Sequence, residues 1–231
     1  EPLTKLGRKE FTSNPAWSPD GRQIALSYYR LPDNAAIPVP DGTDLYVMNA
    51  DGSGLRILLG HEVSGTALQY PAWAADGSAI YVSRAAPLGA QSIDRVTVAS
   101  GEHASVVSRA AFPALSRDGL ALAYVRYAAP PERGESLWLS APDGSEAREI
   151  VGPTIFAKYY GLRFSPDGRQ LIFAAVGQPP NTGGSLFERR RTLFGRLALF
   201  PPAYADGDIW DLWIVDRDGH NLRPVTALSE D

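Results

Sequence analysis

Short apolar runs recur along the chain, each behind an Asp-Gly pair. The pairs sit in Trp17-Ser18-Pro19-Asp20-Gly21, Trp73-Ala74-Ala75-Asp76-Gly77, Leu115-Ser116-Arg117-Asp118-Gly119 and Phe164-Ser165-Pro166-Asp167-Gly168. A large apolar residue stands three positions before each Asp, and Pro-Ala precedes three of the four. Asp-Gly between two such runs predicts a hairpin, because Gly tolerates positive φ and Asp bonds its own turn backbone. Ile24, Ile80, Leu122 and Leu171 follow four residues past the Asp, and Leu26, Val82, Tyr124 and Phe173 two further on. The residues between, Ala25, Tyr81, Ala123 and Ile172, are also apolar. A strand apolar on both faces is expected to be buried on both.

A second turn closes each unit, at Asp51-Gly52, Ser100-Gly101, Asp143-Gly144 and Asp218-Gly219. A third strand runs before it (Leu45–Met48, Val96–Val98, Leu137–Leu139, Leu212–Val215) and a shorter fourth after it. Arg56, Arg148 and Arg223 lie four residues beyond the turn glycine, where the second unit has Ser105. Each unit therefore reads as a four-stranded antiparallel meander. Meanders repeating at this spacing are the signature of β-propeller blades. The expected fold is all-β, one propeller domain or propeller segment over 1–231. Its four blades fall at about 11–60, 68–108, 110–152 and 159–228, with an insertion at about 177–207 in the fourth.

Asn14-Pro15-Ala16-Trp17-Ser18-Pro19-Asp20-Gly21-Arg22-Gln23-Ile24-Ala25, with Leu45–Gly54, resembles the repeat of TolB-like β-propellers. Phe164-Ser165-Pro166-Asp167-Gly168-Arg169-Gln170-Leu171 matches as closely, the third unit less so. The second lacks Ser-Pro and has Asp94-Arg95 where the others carry an apolar pair. The resemblance implies a cell-envelope setting, periplasmic or extracellular, and a protein partner. The same repeat also occurs in propellers appended to serine peptidases. It implies six blades where four are visible, so the chain is either a closed four-bladed ring or part of a longer array. Glu1-Pro2-Leu3-Thr4 resembles a fourth strand, as does Leu222–Thr226, and that phase favours a segment of an array. The start also lacks an initiator methionine and a leader pattern, which reads as a processed or cut start.

Composition narrows the function. Zero cysteine excludes a disulfide scaffold, a thiolate metal site and a cysteine nucleophile. A net charge of -4 argues against a nucleic-acid partner. No stretch approaches the ~20 apolar residues of a membrane span. His61, His103 and His220 are dispersed, which gives no support to a metal site. No Gly-x-Ser-x-Gly elbow and no phosphate-cradling glycine loop occurs. Asp216-x-Asp218-Gly219-x-Asn221 lacks the distal Glu of a calcium loop and reads as turn chemistry. No cofactor is expected.

In a meander the short Asp-Gly turns share one face of the ring, and the second-to-third and blade-to-blade connections share the other. All the length variation falls on that second face, where binding on a rigid scaffold usually sits. Arg30, Arg84 and Arg126 lie at the ends of second strands there. Blade-to-blade segments add His61, Tyr70, Phe112, Phe156, Lys158, Tyr159 and Tyr160. Arg and Tyr suit recognition surfaces, although rim solvation and gap filling between blades explain such residues as well. Arg163 stands where the other units have Ala16, Ala72 and Ala114, which points to solvent, a channel or a charged partner, or to a shifted register. In the insertion, Leu186, Leu193, Leu197 and Phe200 share a helical face, with Arg189, Arg190 and Phe194 among the candidate contacts. Such a basic amphipathic helix could touch a membrane surface or a partner, but capping the propeller is the simpler role.

The expectation is a non-catalytic scaffold that binds a protein or peptide on the variable-loop face through Arg30, Tyr70, Arg84, Arg126, Lys158, Tyr159, Tyr160, Arg163, Arg189, Arg190 and Phe194. The alternatives are the gating propeller of a prolyl oligopeptidase-like serine peptidase whose catalytic domain lies outside this chain, and a sugar- or small-ligand-binding propeller.

Overall fold

The computed structural model describes residues 2–4, 6–33, 40–177 and 210–226. They form four antiparallel four-stranded sheets, each in meander order, which are the blades of a β-propeller. The first blade holds β1 (Glu10–Trp17), β2 (Gln23–Arg30), β3 (Asp44–Asn49) and β4 (Arg56–Leu59). The second holds β5 (Ala67–Trp73), β6 (Ala79–Ala85), β7 (Gln91–Thr97) and β8 (His103–Ser108). The third holds β9 (Ala110–Leu115), β10 (Leu122–Tyr127), β11 (Glu135–Ser140) and β12 (Arg148–Val151). The fourth holds β13 (Lys158–Phe164), β14 (Gln170–Val176), β15 (Asp211–Asp216) and β16 (Arg223–Pro224). The helix expected in the insertion, with Arg189, Arg190 and Phe194, lies outside the described residues.

The first turn of each blade is locked by its own side chains. Ser18 donates to Asp20 Oδ1 at 2.7 Å and accepts the Gln23 N–H at 2.9 Å, while Asp20 Oδ1 accepts the Arg22 N–H. Ser116–Asp118 and Ser165–Asp167 repeat the arrangement. The second blade has Ala74 in the serine position, and there Ser78 donates to Asp76 instead. Hydrogen bonds from these serines hold Asp20, Asp118 and Asp167 below the usual carboxylate range. A lowered carboxyl stabilises the fold above its unfolded-state pKa, and that contribution is lost as pH falls through the lowered value.

The core lies between blades rather than within them. Ala25, Leu45 and Val47 of the first blade pack on Leu68, Trp73, Ile80 and Val82 of the second. Tyr81 and Ile93 meet Leu122 and Tyr124 of the third. Val125, Leu137 and Leu139 meet Leu171, Phe173, Trp213 and Val215 of the fourth. This explains the doubly apolar β6 and β10, each of which serves two interfaces, while the far side of β2 packs within the first blade, where Ile24, Leu26 and Met48 cluster with Tyr28 and Tyr46. A cross-strand row marks the side of a blade that faces its successor. In the first blade it runs Ala16, Ala25, Val47, Arg56, and in the third Ala114, Ala123, Leu139, Arg148. The inner end is small, so the next blade closes in: Trp73 Nε1 donates to the Ala16 carbonyl at 3.0 Å. The outer end is a clamp: Arg56 donates to the Val98 carbonyl, and Arg148 to those of Arg217 and Asp218.

Glycine is required where the second turn meets the blade before it. A Cβ at Gly101 would stand 2.7 Å from the Leu58 carbonyl oxygen, and one at Gly144 equally close to that of Val106. Substantial strand contacts join consecutive blades, and among the described residues none of comparable extent joins the first blade to the fourth.

Ser116 is almost fully buried, so its loss strands the Ala121 N–H. Ser116→Ala is expected to lower the unfolding free energy by roughly 1–2 kcal/mol, read as the shift of a urea unfolding midpoint at constant m-value.

Candidate functional site

Strand direction places the variable face. The second strands end there, β2 at Arg30, β6 one residue past Arg84 and β10 one residue past Arg126, and the inner strands β1, β5, β9 and β13 begin there. Each inner strand then carries a register shift, located at Ser13/Ala16, Gln69/Ala72, opposite Ala123/Val125 and at Tyr160/Arg163. At each shift one residue has positive φ: Asn14 at 52°, Tyr70 at 56°, Phe112 at 57° and Gly161 at 66°. All four lie six residues before the motif aspartate. Asn and Gly enter the left-handed region readily, whereas a bulky aromatic does so only when its surroundings hold it.

That conformation coincides with ring contacts between three blades. Tyr70 and Phe112 have ring centroids 4.6 Å apart, and Tyr160 packs on them at 5.7 and 5.3 Å. Trp210, just before β15, extends the cluster at 6.1 Å from Tyr160. The Phe112 backbone N–H donates to Ser83 Oγ of the preceding blade at 2.8 Å, which fixes the bulge from outside its own sheet. Burial pushes the Tyr70 hydroxyl far above its ordinary pKa, with the Tyr160 hydroxyl acting in the same direction. The result is a neutral, aromatic, partly exposed patch on the innermost strands.

The other candidate residues divide. Arg30 is exposed and pairs with Asp33 at 3.3 Å. It borders an open groove of about 630 Å³ formed with Pro32, Pro40, Asp41 and Ser64. Arg84 stands 4.0 Å from Glu62, and Arg126 lies over the Trp138 ring at 4.7 Å. Tyr70, Phe112, Lys158, Tyr159 and Tyr160 belong to the inner strands, not to the segments between blades. Tyr159 is a correction: it is 2% exposed, packs on Phe156 and Phe173, and donates its hydroxyl to the Gly152 carbonyl. The alternation that turns Tyr160 inward to the axis turns Tyr159 into the core. Arg163 is exposed but lies past the bulge, on the side of the fourth blade away from the third, and does not join the cluster.

Two groups add to this face. Asp44 accepts from the His61 backbone N–H and meets its ring Nδ1 at 2.6 Å, while Asp41 faces Nε2 at 3.3 Å. Burial works against a charged His61, but these hydrogen bonds outweigh it and raise the pKa. Gly42 is obligatory beside it, since a Cβ there would stand 2.5 Å from the imidazole. Glu135 opens β11, directly after the β10–β11 connection, and accepts the Tyr159 N–H at 3.0 Å. Burial pushes its carboxyl up to about 7, against the opposing hydrogen bond from Tyr159 and the charge of Lys158. Nothing in its sequence context marks Glu135. Among the described residues, no group of three or more His, Asp or Glu is arranged to hold a metal ion.

The raised Glu135 pKa has a defined sign. Between the unfolded value near 4.5 and about 7 the folded chain binds the extra proton, so stability falls as pH rises through that window. Glu135→Gln keeps the acceptor and removes the charge. It is expected to raise the melting temperature at pH 8, by an amount equivalent to roughly 1–3 kcal/mol, and to change little at pH 4.5.

No family model matches the chain. It is 30% identical over 173 residues to the uncharacterized peptidase YuxL of Bacillus subtilis (strain 168), covering 73% of this chain and 22% of that one. The chain thus spans well under half of that relative. A putative TolB from Agrobacterium tumefaciens superimposes with a TM-score of 0.60 at 17% identity, over 94% of this chain and 81% of that one. TolB from Acinetobacter baumannii gives 0.59 at 18% identity, over 94% and 43%. A puromycin-hydrolyzing peptidase from Mycobacterium tuberculosis gives 0.62 at 18% identity, over 96% and 30%. At these identities the structural likeness defines the fold.

Proposed function

From the premise that the chain has a TolB-like β-propeller fold, we propose that it is a non-catalytic recognition module of an extracytoplasmic protein. It takes an extended protein or peptide segment on its variable-loop face. Tyr70, Phe112 and Tyr160 form the apolar anchor, and Arg30, Arg84 and Arg126 stand on the surrounding rim. The observation that carries this reading is the left-handed backbone of Tyr70 and Phe112. Strain of this kind persists only where the surroundings enforce it, and it concentrates at ligand sites. Partly exposed aromatic rings on a rigid base offer large contact area at small entropic cost, which is how interface anchors work. The Arg126–Trp138 pair extends the same chemistry along the rim.

A second reading is favoured by one observation, the 30% identity to a peptidase of which this chain spans 22%. In that reading the same face selects peptides for a serine peptidase domain. The two share a ligand class and differ in what happens after binding.

The first blade supplies the test substitution, because Asn14 adopts the same backbone conformation that Tyr70 and Phe112 adopt. Tyr70→Asn with Phe112→Asn keeps the bulge and removes both rings. Peptides selected on the chain from a random display library are expected to bind the double variant at least about tenfold more weakly, by fluorescence anisotropy, with the fold retained by circular dichroism. Unchanged affinity removes the aromatic patch from the site. Hydrolysis of the selected peptides by the complete gene product, absent from the 231-residue chain, favours the peptidase reading.

A further inference from the structure

Residues 40–43, which lead into β3 of the first blade, run beside residues 60–66, which lead from β4 into β5 of the second. The Thr43 N–H donates to the Thr66 carbonyl at 3.0 Å, the Leu68 N–H donates to the Thr43 carbonyl at 3.1 Å, and Thr43 bridges Ala67 in parallel. Nearer the rim, the Gly65 N–H donates to the Asp41 carbonyl. The two segments are thus joined at two depths. Thr43 and Thr66 are 0% exposed, whereas the Asp41 side chain is 72% exposed. Asp41, Ser64 and Gly65 together wall the groove beside Arg30.

His61 stands at the outer junction with a carboxylate on each ring nitrogen. Asp44 Oδ1 lies 2.6 Å from Nδ1, and Asp41 Oδ2 lies 3.3 Å from Nε2. A carboxylate only accepts, so both contacts are hydrogen bonds only when both nitrogens carry a proton, as in the imidazolium. Asp44 also takes the His61 backbone N–H at 2.8 Å, and Ser64 donates to the other oxygen of Asp41. Among the described residues, the charged groups that act on the ring are Asp44 and Asp41. Glu62, the next residue, faces Arg84 and His103 at 4.0 Å. Across the groove, Asp33 is paired with Arg30 at 3.3 Å and with Lys9 at 3.5 Å.

We propose that His61 is a proton-operated clamp on the variable-loop face, which fastens Asp41 to the β4–β5 segment as an imidazolium and releases it when the ring is neutral. Asp44 is the more buried carboxylate, its side chain 19% exposed, and it already holds the His61 backbone. The neutral ring therefore keeps its single N–H on Nδ1, for Asp44. The Nε2 lone pair then faces the Asp41 carboxylate, and that contact is repulsive. Asp41 turns to solvent and takes the Ser64 bond with it. The Gly65–Asp41 backbone bond, left alone at the rim, opens more readily, while the buried Thr43–Thr66 junction stays as the hinge. Release leaves an unpaired carboxylate on the groove wall beside Arg30, so the charge this part of the face presents depends on pH. Burial disfavours a charged His61, but the hydrogen bonds to Asp44 and Asp41 outweigh it and raise its pKa from the ordinary 6.5. The sign follows: the clamp's stabilisation is complete below 6.5 and is lost as pH rises through the raised value. The clamp operates whatever the aromatic patch binds.

The three histidine rings of the 231-residue chain are titrated by NMR. The His61 signal is identified as the one that His61→Gln removes. Its midpoint is expected above 6.5, and the protection factor of the Gly65 amide is expected to fall at least about tenfold as pH crosses that midpoint. The Thr43 and Leu68 amides should stay protected throughout. Asp41→Asn keeps an acceptor for Ser64 and removes the charge, so it should lower the His61 midpoint by at least about 0.5 pH unit. At its exposed position it also identifies the His61 signal, as the one that moves, should His61→Gln fail to fold. A His61 midpoint at or below 6.5 overturns the proposal. So does a Gly65 protection factor that is unchanged across the midpoint, or one that falls equally in His61→Gln.

Discussion

The seating of each blade on the next is the contact on which the rest of the molecule depends. A four-stranded sheet apolar on both sides cannot bury itself, so stability arises only between blades. Ala16, Ala25, Ala114 and Ala123 keep the inner and second strands thin enough for a close approach, and the turn glycines let backbone meet backbone. The arginine clamps reach carbonyl oxygens, acceptors that any sequence presents. This is why a divergent second blade, with Asp94-Arg95 and Ala74 in place of the turn serine, still fits between its neighbours.

The same rigidity makes the axis chemically useful. Ser83 belongs to one blade and holds the bulge of the next through the Phe112 N–H, so the conformation of the ring-bearing residue is set by the interface. Tyr70, Phe112 and Tyr160 come from three blades and meet only because those blades are in register. Packing energy gained over whole strands thereby supports local strain at two residues. On the turn face the opposite economy holds: Ser–Asp pairs repeat a local solution that needs no neighbour.

Fold and site were unequally legible in the sequence. Asp20, Asp76, Asp118 and Asp167 announced the blades because turn chemistry is local and repeats. The doubly apolar strands announced burial on both sides for the same reason. Tyr70 and Phe112 were visible as aromatics but not as left-handed residues, since periodicity carries no sign of φ. Tyr159 and Tyr160, adjacent in a regular strand ahead of the bulge, part into core and axis by alternation alone, and only the register decides which of the two is buried. Arg163 stood out as the one large residue in a small column, and the structure gives the column its meaning as the inner end of a blade-facing row. Glu135 left no mark, because the backbone N–H that meets it belongs to Tyr159 of the next blade, which is not readable from its own neighbours.

Native-state hydrogen exchange tests the dependence on blade seating most directly. The middle strands β6 and β10, covered on both sides, should exchange only through global unfolding. The amides of β15 and β16, backed by one neighbour, should open at a free energy at least about 2 kcal/mol lower. Exchange in β15 and β16 as slow as in β6 would contradict the claim that stability resides between blades.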